Sequence, residues 1–218
     1  MAVAAAEAAA VTGRNSAPAP SGVAPRPPLI KPVNPADYRP ALLNVGVIVW
    51  LASELMFFSG LFAAFFTLRS TTAVWPPKGD VVDVTTVLIA TILLVVSSGT
   101  MQMAVSRTLR GDRTGFLGWL ALTFCLGALF DGMQISDYIG RPFSIEDNAW
   151  TGCFYVLTGI HALHVFGGLF GMVLMGLRGW KTRHFGHRLA PSVEFLSFYW
   201  HFVDVVWIAL FAAIFLLK

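Results

Sequence analysis

Residues 150–177 read WTGCFYVLTGIHALHVFGGLFGMVLMGL, 28 positions without an Asp, Glu, Lys or Arg. At about 1.5 Å per residue, a helix of that length exceeds the roughly 30 Å of bilayer hydrocarbon. Lipid offers no partners for the backbone, so such a stretch is expected to satisfy its own amides as a helix. Four further apolar runs share its length class: 42–68, 84–105, 116–139 and 193–217. The expected fold is therefore an all-α integral membrane bundle of five transmembrane helices.

Composition agrees. Of 218 residues, 56% are hydrophobic and only 12% charged, with a mean hydropathy of +0.69. A soluble domain carries roughly 25% charged residues. The net charge of +3 reflects placement rather than a nucleic-acid partner. Arg14, Arg26, Lys31, Arg39, Arg107, Arg110, Arg113, Arg178, Lys181, Arg183 and Arg188 fall on one side of the five runs. Only Arg69, Lys78, Arg141 and Lys218 fall on the other. That asymmetry predicts a cytoplasmic N-terminus and an external C-terminus.

Residues 1–40 are expected to form a disordered Ala/Pro-rich cytoplasmic tail, given Pro18, Pro20, Pro25, Pro27, Pro28, Pro32, Pro35 and Pro40. The Ala run near Met1 carries Glu7 and lacks a basic leader, which argues against a signal peptide. Residues 41–218 form the expected membrane domain. Short connections predict that consecutive helices are antiparallel neighbours, with turns at Trp75-Pro76-Pro77, Gly111-Asp112-Arg113 and Arg141-Pro142. Small residues cluster at Ser97-Ser98-Gly99-Thr100 and at Gly167, Gly168 and Gly171. Gly167 and Gly171, four apart, clear a helix face for close approach, unless glycine is simply tolerated in lipid. Cys125 and Cys153 sit in apolar segments without metal-ligand spacing and are expected to be small buried hydrophobes.

The informative residues are the polar ones at membrane depth: Glu54 in the first run, His161 and His164 in the fourth, and His201 and Asp204 in the fifth. Asp131, Gln134 and Asp137 in the third run form a weaker set. A charge at mid-bilayer costs at least about 2.5–3.5 kcal/mol, so all are expected to face the bundle interior. The pairs His161/His164, His201/Asp204 and Asp131/Gln134 are each three residues apart and so share a helix face. Three readings fit these residues. One is a buried hydrogen-bond layer that fixes helix register, with Asp204 orienting His201 through a direct bond. The second is a proton relay, in which a carboxyl group exchanges a proton beside histidines. The third is a metal site, for which the chain offers one His-x-x-His but no Glu-x-x-His pair and no thiolate cluster.

The strings then become recognisable. Tyr199-Trp200-His201-Phe202-Val203-Asp204-Val205-Val206-Trp207 resembles the last-helix signature of subunit III of haem–copper oxidases. Ser53-Glu54-Leu55-Met56-Phe57-Phe58, Trp75-Pro76-Pro77, Gly111-Asp112-Arg113 and Thr158-Gly159-Ile160-His161-Ala162-Leu163-His164-Val165 resemble further family motifs, all in the family's order. Together they cover the chain from about Leu42 to Lys218, and Asn44 to Phe66 looks most like the actinobacterial cytochrome c oxidase subunit. The resemblance implies a non-redox subunit of a proton-pumping terminal oxidase in a bacterial plasma membrane, carrying electrons from cytochrome c to oxygen. No catalytic, cofactor-binding or metal-ligating residue is expected in this chain. Haem and copper would reside in partner subunits, and bound phospholipid would be compatible with the family. Direct contact with subunit I is implied, with subunit II and cytochrome c or a cytochrome bc-type complex in the assembly. By matched motif, Glu54 corresponds to the family's intramembrane glutamate, and His201 and Asp204 to its last-helix pair.

Two departures matter. Longer family members have seven helices, in a two-helix and a five-helix bundle with lipid between, whereas this chain has only five spans. Asp137 stands where many members carry glutamate, and Asp131 is an acid where the resemblance leads one to expect a hydroxyl or apolar residue. The nearest rivals are subunit III of a quinol oxidase and a homologue associated with nitric oxide reductase. From other classes come a stand-alone membrane metal-dependent oxidase using His161, His164, His201 and Glu54, and a proton-coupled transporter. With an odd number of spans, tags at the two chain ends are expected on opposite faces of the membrane in a protease-protection assay. Finding both on one face would break the five-span reading.

Overall fold

The computed structural model of the protein describes residues 42–72, 75, 84–140, 144–182 and 189–217. The proposed N-terminal tail, Pro76, Pro77, Arg141 and Pro142 lie outside the described residues. Five long helices follow one another: α1 (Leu42–Thr71), α2 (Val84–Leu109), α3 (Arg113–Gly140), α4 (Ala149–Lys181) and α5 (Ala190–Phe211). A π-helical turn, Ala212–Leu216, continues α5. All five are long and apolar enough to cross a membrane, and each apolar run of the sequence falls within one, the last ending one residue beyond Leu216.

The helix ends follow from local chemistry. Between α2 and α3, Gly111 takes a φ of 73°, where a side chain would be strained. Asp112 then accepts the Gly115 N–H at 2.9 Å and pairs with Arg107 at 3.1 Å. The Gly115 N–H, helped by Arg107, holds the Asp112 carboxyl below the usual carboxylate range. Asn148 caps α4 reciprocally with Thr151, each side chain accepting the other's backbone N–H at 2.9 and 3.1 Å. Pro191 stands in the first turn of α5, where its missing N–H costs nothing.

Helices α2, α3, α4 and α5 close a ring in which each packs on the next and α5 returns to α2. Helix α1 departs from the expectation that consecutive helices are neighbours. It packs on α4 and α5, with no comparable contact to α2. Its seam is narrow: Val47, Phe58 and Phe65 are buried, while Ile48, Val49, Leu55 and Met56 face outward. Outward apolar side chains recur on every helix, as lipid exposure requires.

The core is built around two α5 tryptophans, Trp200 and Trp207, both fully buried. A Cβ on Gly127 of α3 or Gly168 of α4 would come within 2.7 Å of the Trp200 ring, so these glycines set the distance between α5 and both helices. Gly167 and Gly171 lie against Tyr199 and Leu196 of α5, which assigns the glycine cluster to close packing rather than mere tolerance. Cys125 departs from expectation. It is exposed on α3, on a face that no other helix covers, while Cys153 is half-buried. The ends of the bundle are tied by arginines: Arg69 donates to the Leu217 carbonyl, and Arg113 to the Thr182 carbonyl.

Candidate functional site

The polar residues gather near the middle of the helices in two clusters. The first joins α1 to α4. His164 Nδ1 lies 2.8 Å from the Ile160 carbonyl, which can only accept, so this nitrogen carries a proton. His164 Nε2 lies 3.2 Å from Glu54 Oε2. Two lone pairs cannot form that bond, so one proton must lie between Glu54 and His164, on one atom or the other. The pair is roofed by Phe58, edge-on to the imidazole with centroids 5.0 Å apart. Tyr199 of α5 donates to the His164 carbonyl at 2.9 Å and stacks on Trp50 of α1.

The second cluster joins α5 to α2. Ser98 Oγ donates to Asp204 Oδ2 at 2.5 Å and lies 2.6 Å from His201 Nδ1. With Asp204 ionised, that hydroxyl gives it its proton and accepts from His201, which places the imidazole proton on Nδ1. Nε2 is then free to accept from Ser197 Oγ at 3.2 Å. The expected direct bond between Asp204 and His201 does not form. Their nearest atoms are 4.0 Å apart, beyond hydrogen-bond range, and Ser98 bridges them. The three-residue spacing sets the two side chains on one face, but leaves a gap that a hydroxyl from α2 fills.

Not every polar group faces inward as expected. Asp204, His161, Asp131 and Gln134 are buried, but the His201 side chain is 37% exposed, Glu54 23% and His164 19%. Both clusters therefore open at the lateral surface of the bundle. His161 and His164, although three apart, are directed to different neighbours. His164 meets α1, whereas His161 stacks on Trp207 with centroids 4.9 Å apart and stands edge-on to Phe130. Neither His161 nitrogen has a hydrogen-bond partner, nor has Asp131 Oδ1 or the second Asp204 oxygen, Oδ1. Asp137 is half-buried further along α3.

Sequence reasoning missed the role of the α2 hydroxyls. Trp200 Nε1 donates to Ser97 Oγ and Trp207 Nε1 to Thr91 Oγ1, each at 2.9 Å, while Thr100 bonds Thr123 of α3 at 2.8 Å. The signal was the Ser97–Thr100 run itself, which holds three hydroxyls as well as a small surface. Among the described residues, no group of three or more His, Cys, Asp or Glu side chains could hold a metal ion. Glu54 and His164 pair between α1 and α4, and the His201 cluster lies between α5 and α2, so the two sets do not converge on one point.

Comparison with known proteins gives a consistent picture. The family profile described as cytochrome c oxidase subunit III matches residues 39–218. The chain is 40% identical to the probable cytochrome c oxidase subunit 3 of Nocardia farcinica over 184 residues, covering 83% of this chain and 90% of that protein. It is 39% identical to cytochrome c oxidase subunit 3 of Corynebacterium diphtheriae over 186 residues, with the same coverage. Against that of Thermostichus vulcanus, identity is 36% over 188 residues, covering 85% and 92%.

Removing a bridge should cost more than removing an unpartnered group. Ser98→Ala leaves His201 and the buried Asp204 without their shared hydroxyl, and should destabilise by about 1–3 kcal/mol. His161→Phe keeps the aromatic stacking and removes two nitrogens that bond nothing, so it should be near neutral or stabilising. Thermal unfolding of the two purified variants checks the order; the reverse order would refute the assignment of Ser98 as the bridge.

Proposed function

The chain belongs to the cytochrome c oxidase subunit III family, and on that premise we propose that it supports proton uptake by a terminal oxidase while holding no redox centre of its own. Haem and copper reside in the partner subunits. Subunit I is the direct partner, with subunit II and cytochrome c or a bc-type complex in the same assembly, and membrane lipid surrounds the rest. The N-terminus, with its proline-rich tail, lies in the cytoplasm and the C-terminus outside.

The observation that carries the relay reading is the 3.2 Å approach of Glu54 Oε2 to His164 Nε2, a bond that needs one proton between them. A carboxyl group and an imidazole that must share one proton can pass it on by exchanging which atom holds it. The pair is partly open to the lateral surface, so on this account it exchanges protons with a partner subunit seated there and not with lipid, which carries none. His201, Ser98 and Asp204 form a second chain of the same kind, in which an imidazole N–H points at a hydroxyl that points at a carboxylate. His161, buried against aromatic rings, is a packing residue on this account. Asp131 and Gln134 are buried on α3, and Asp137 lies toward the end of that helix.

Glu54→Gln keeps the shape and a hydrogen-bond donor toward His164 but removes the exchangeable acid. The variant oxidase should assemble normally yet lose turnover or pumping, most clearly at high pH where protons are scarce. Oxygen consumption measured across pH decides the matter. A correctly assembled variant with the wild-type pH profile would leave Glu54 as a register residue only.

A further inference from the structure

Tyr199 touches both helices that carry the Glu54–His164 pair. On the α1 side its ring stacks on the Trp50 indole, with centroids 5.2 Å apart and an interplanar angle of 22°. Trp50 lies four residues before Glu54, so the two side chains leave one face of α1 a single turn apart. On the α4 side the Tyr199 hydroxyl donates to the carbonyl of His164 itself, at 2.9 Å. One side chain thus holds α1 a turn from its carboxyl group and α4 at the residue that bears the imidazole.

Two glycines of α4 make this contact possible. A Cβ on Gly167 would lie 3.2 Å from the Tyr199 hydroxyl, and one on Gly168 would lie 3.3 Å from the ring. Phe195 and Phe202, on either side of Tyr199 along α5, also meet α1, at Trp50 and Phe58. Neither carries a group that can bond α4. Helix α1 buries only a narrow seam at Val47, Phe58 and Phe65, so its distance from α4 depends on few contacts. The Glu54–His164 bond is sensitive to that distance. At 3.2 Å it lies at the long end of the N···O range, and a slip of a few tenths of an ångström breaks it.

We propose that Tyr199 is the positioning residue of the Glu54–His164 pair, setting the gap across which the two share a proton. Its own hydroxyl proton is committed to a backbone carbonyl, which has none to pass on, so Tyr199 acts through the pair and not within it. The titratable side chains at this junction are Glu54 from α1, His164 from α4 and Tyr199 from α5. His161 is turned to Trp207, and His201 and Asp204 to Ser98. The consequence for turnover rests on the proton-relay reading; the consequence for the bond itself does not.

Two variants attack the contact from opposite sides. Y199F keeps the ring on Trp50 and removes only the hydroxyl, whereas G167A keeps the tyrosine and crowds its hydroxyl off the carbonyl. Infrared difference spectra of the assembled oxidase report the bond directly, with the Glu54 carboxyl band identified by its loss in E54Q. Both variants should shift that band. Both should also lower oxygen consumption at alkaline pH about fivefold, the factor that one net hydrogen bond carries, and leave the acid end unchanged. In the E54Q background neither should lower it further. An unshifted band in assembled Y199F and G167A overturns the proposal, as does a loss of turnover as large in the E54Q background as in the wild type. A shifted band beside a wild-type pH profile in E54Q keeps Tyr199 as the positioning residue and overturns the relay reading instead.

Discussion

The bond from Ser98 to Asp204, with His201 leaning on the same hydroxyl, expresses the constraint that governs this bundle. A carboxylate, an imidazole and two indole N–H groups are all carried by one helix at membrane depth, where water cannot satisfy them. The α5 ridge is therefore stable only against a helix that offers hydroxyls at matching heights. Helix α2 does so with Thr91, Ser97 and Ser98. The pairing of α2 with α5 closes the four-helix ring and decides which faces remain for lipid. Glu54 and His164 repeat the logic on a smaller scale, fixing the register of α1, which has little other burial to hold it.

Van der Waals packing complements these bonds. Lipid tails are as apolar as leucine, so burying apolar area gives little drive for helices to associate inside a bilayer. Close approach matters instead, and here it depends on glycines that admit a large ring. Trp200 fits between Gly127 and Gly168, its indole N–H reaching Ser97. The same side chain thus supplies contact area to α3 and α4 and a hydrogen bond to α2. The two arrangements hold each other in place, because shifting the ring to relieve one would break the other.

Much of this was legible in the sequence. Five apolar runs of membrane length specify five helices because lipid leaves the backbone no alternative, and Gly111-Asp112-Arg113 reads directly as a tight turn. Polar residues such as Glu54, His164 and Asp204 declare themselves by their cost. What was not legible is which helix answers which. The chain order suggested α1 beside α2, but α1 packs on α4 and α5, and Glu54 finds its partner 110 residues away. The three-residue spacing of His201 and Asp204 implied a direct bond; the true link comes from a serine 103 and 106 residues distant. Outward-facing Cys125 likewise depends on the rotation of α3, which a nearly uniform apolar helix does not encode.

The family assignment and the geometry lead to one division of labour. On the reading proposed above, its two hydrogen-bonded polar clusters exchange protons, its exterior is apolar, and the redox chemistry belongs to its partners. The most direct measurement is made on the oxidase prepared from cells lacking this chain, comparing its visible haem spectrum with the time course of oxygen consumption. The account predicts a full haem spectrum and a normal initial rate that decays with turnover, as proton delivery falls behind. Loss of haem from the complex at normal levels of subunit I would contradict it, because the chain would then be a structural element of the redox centre itself.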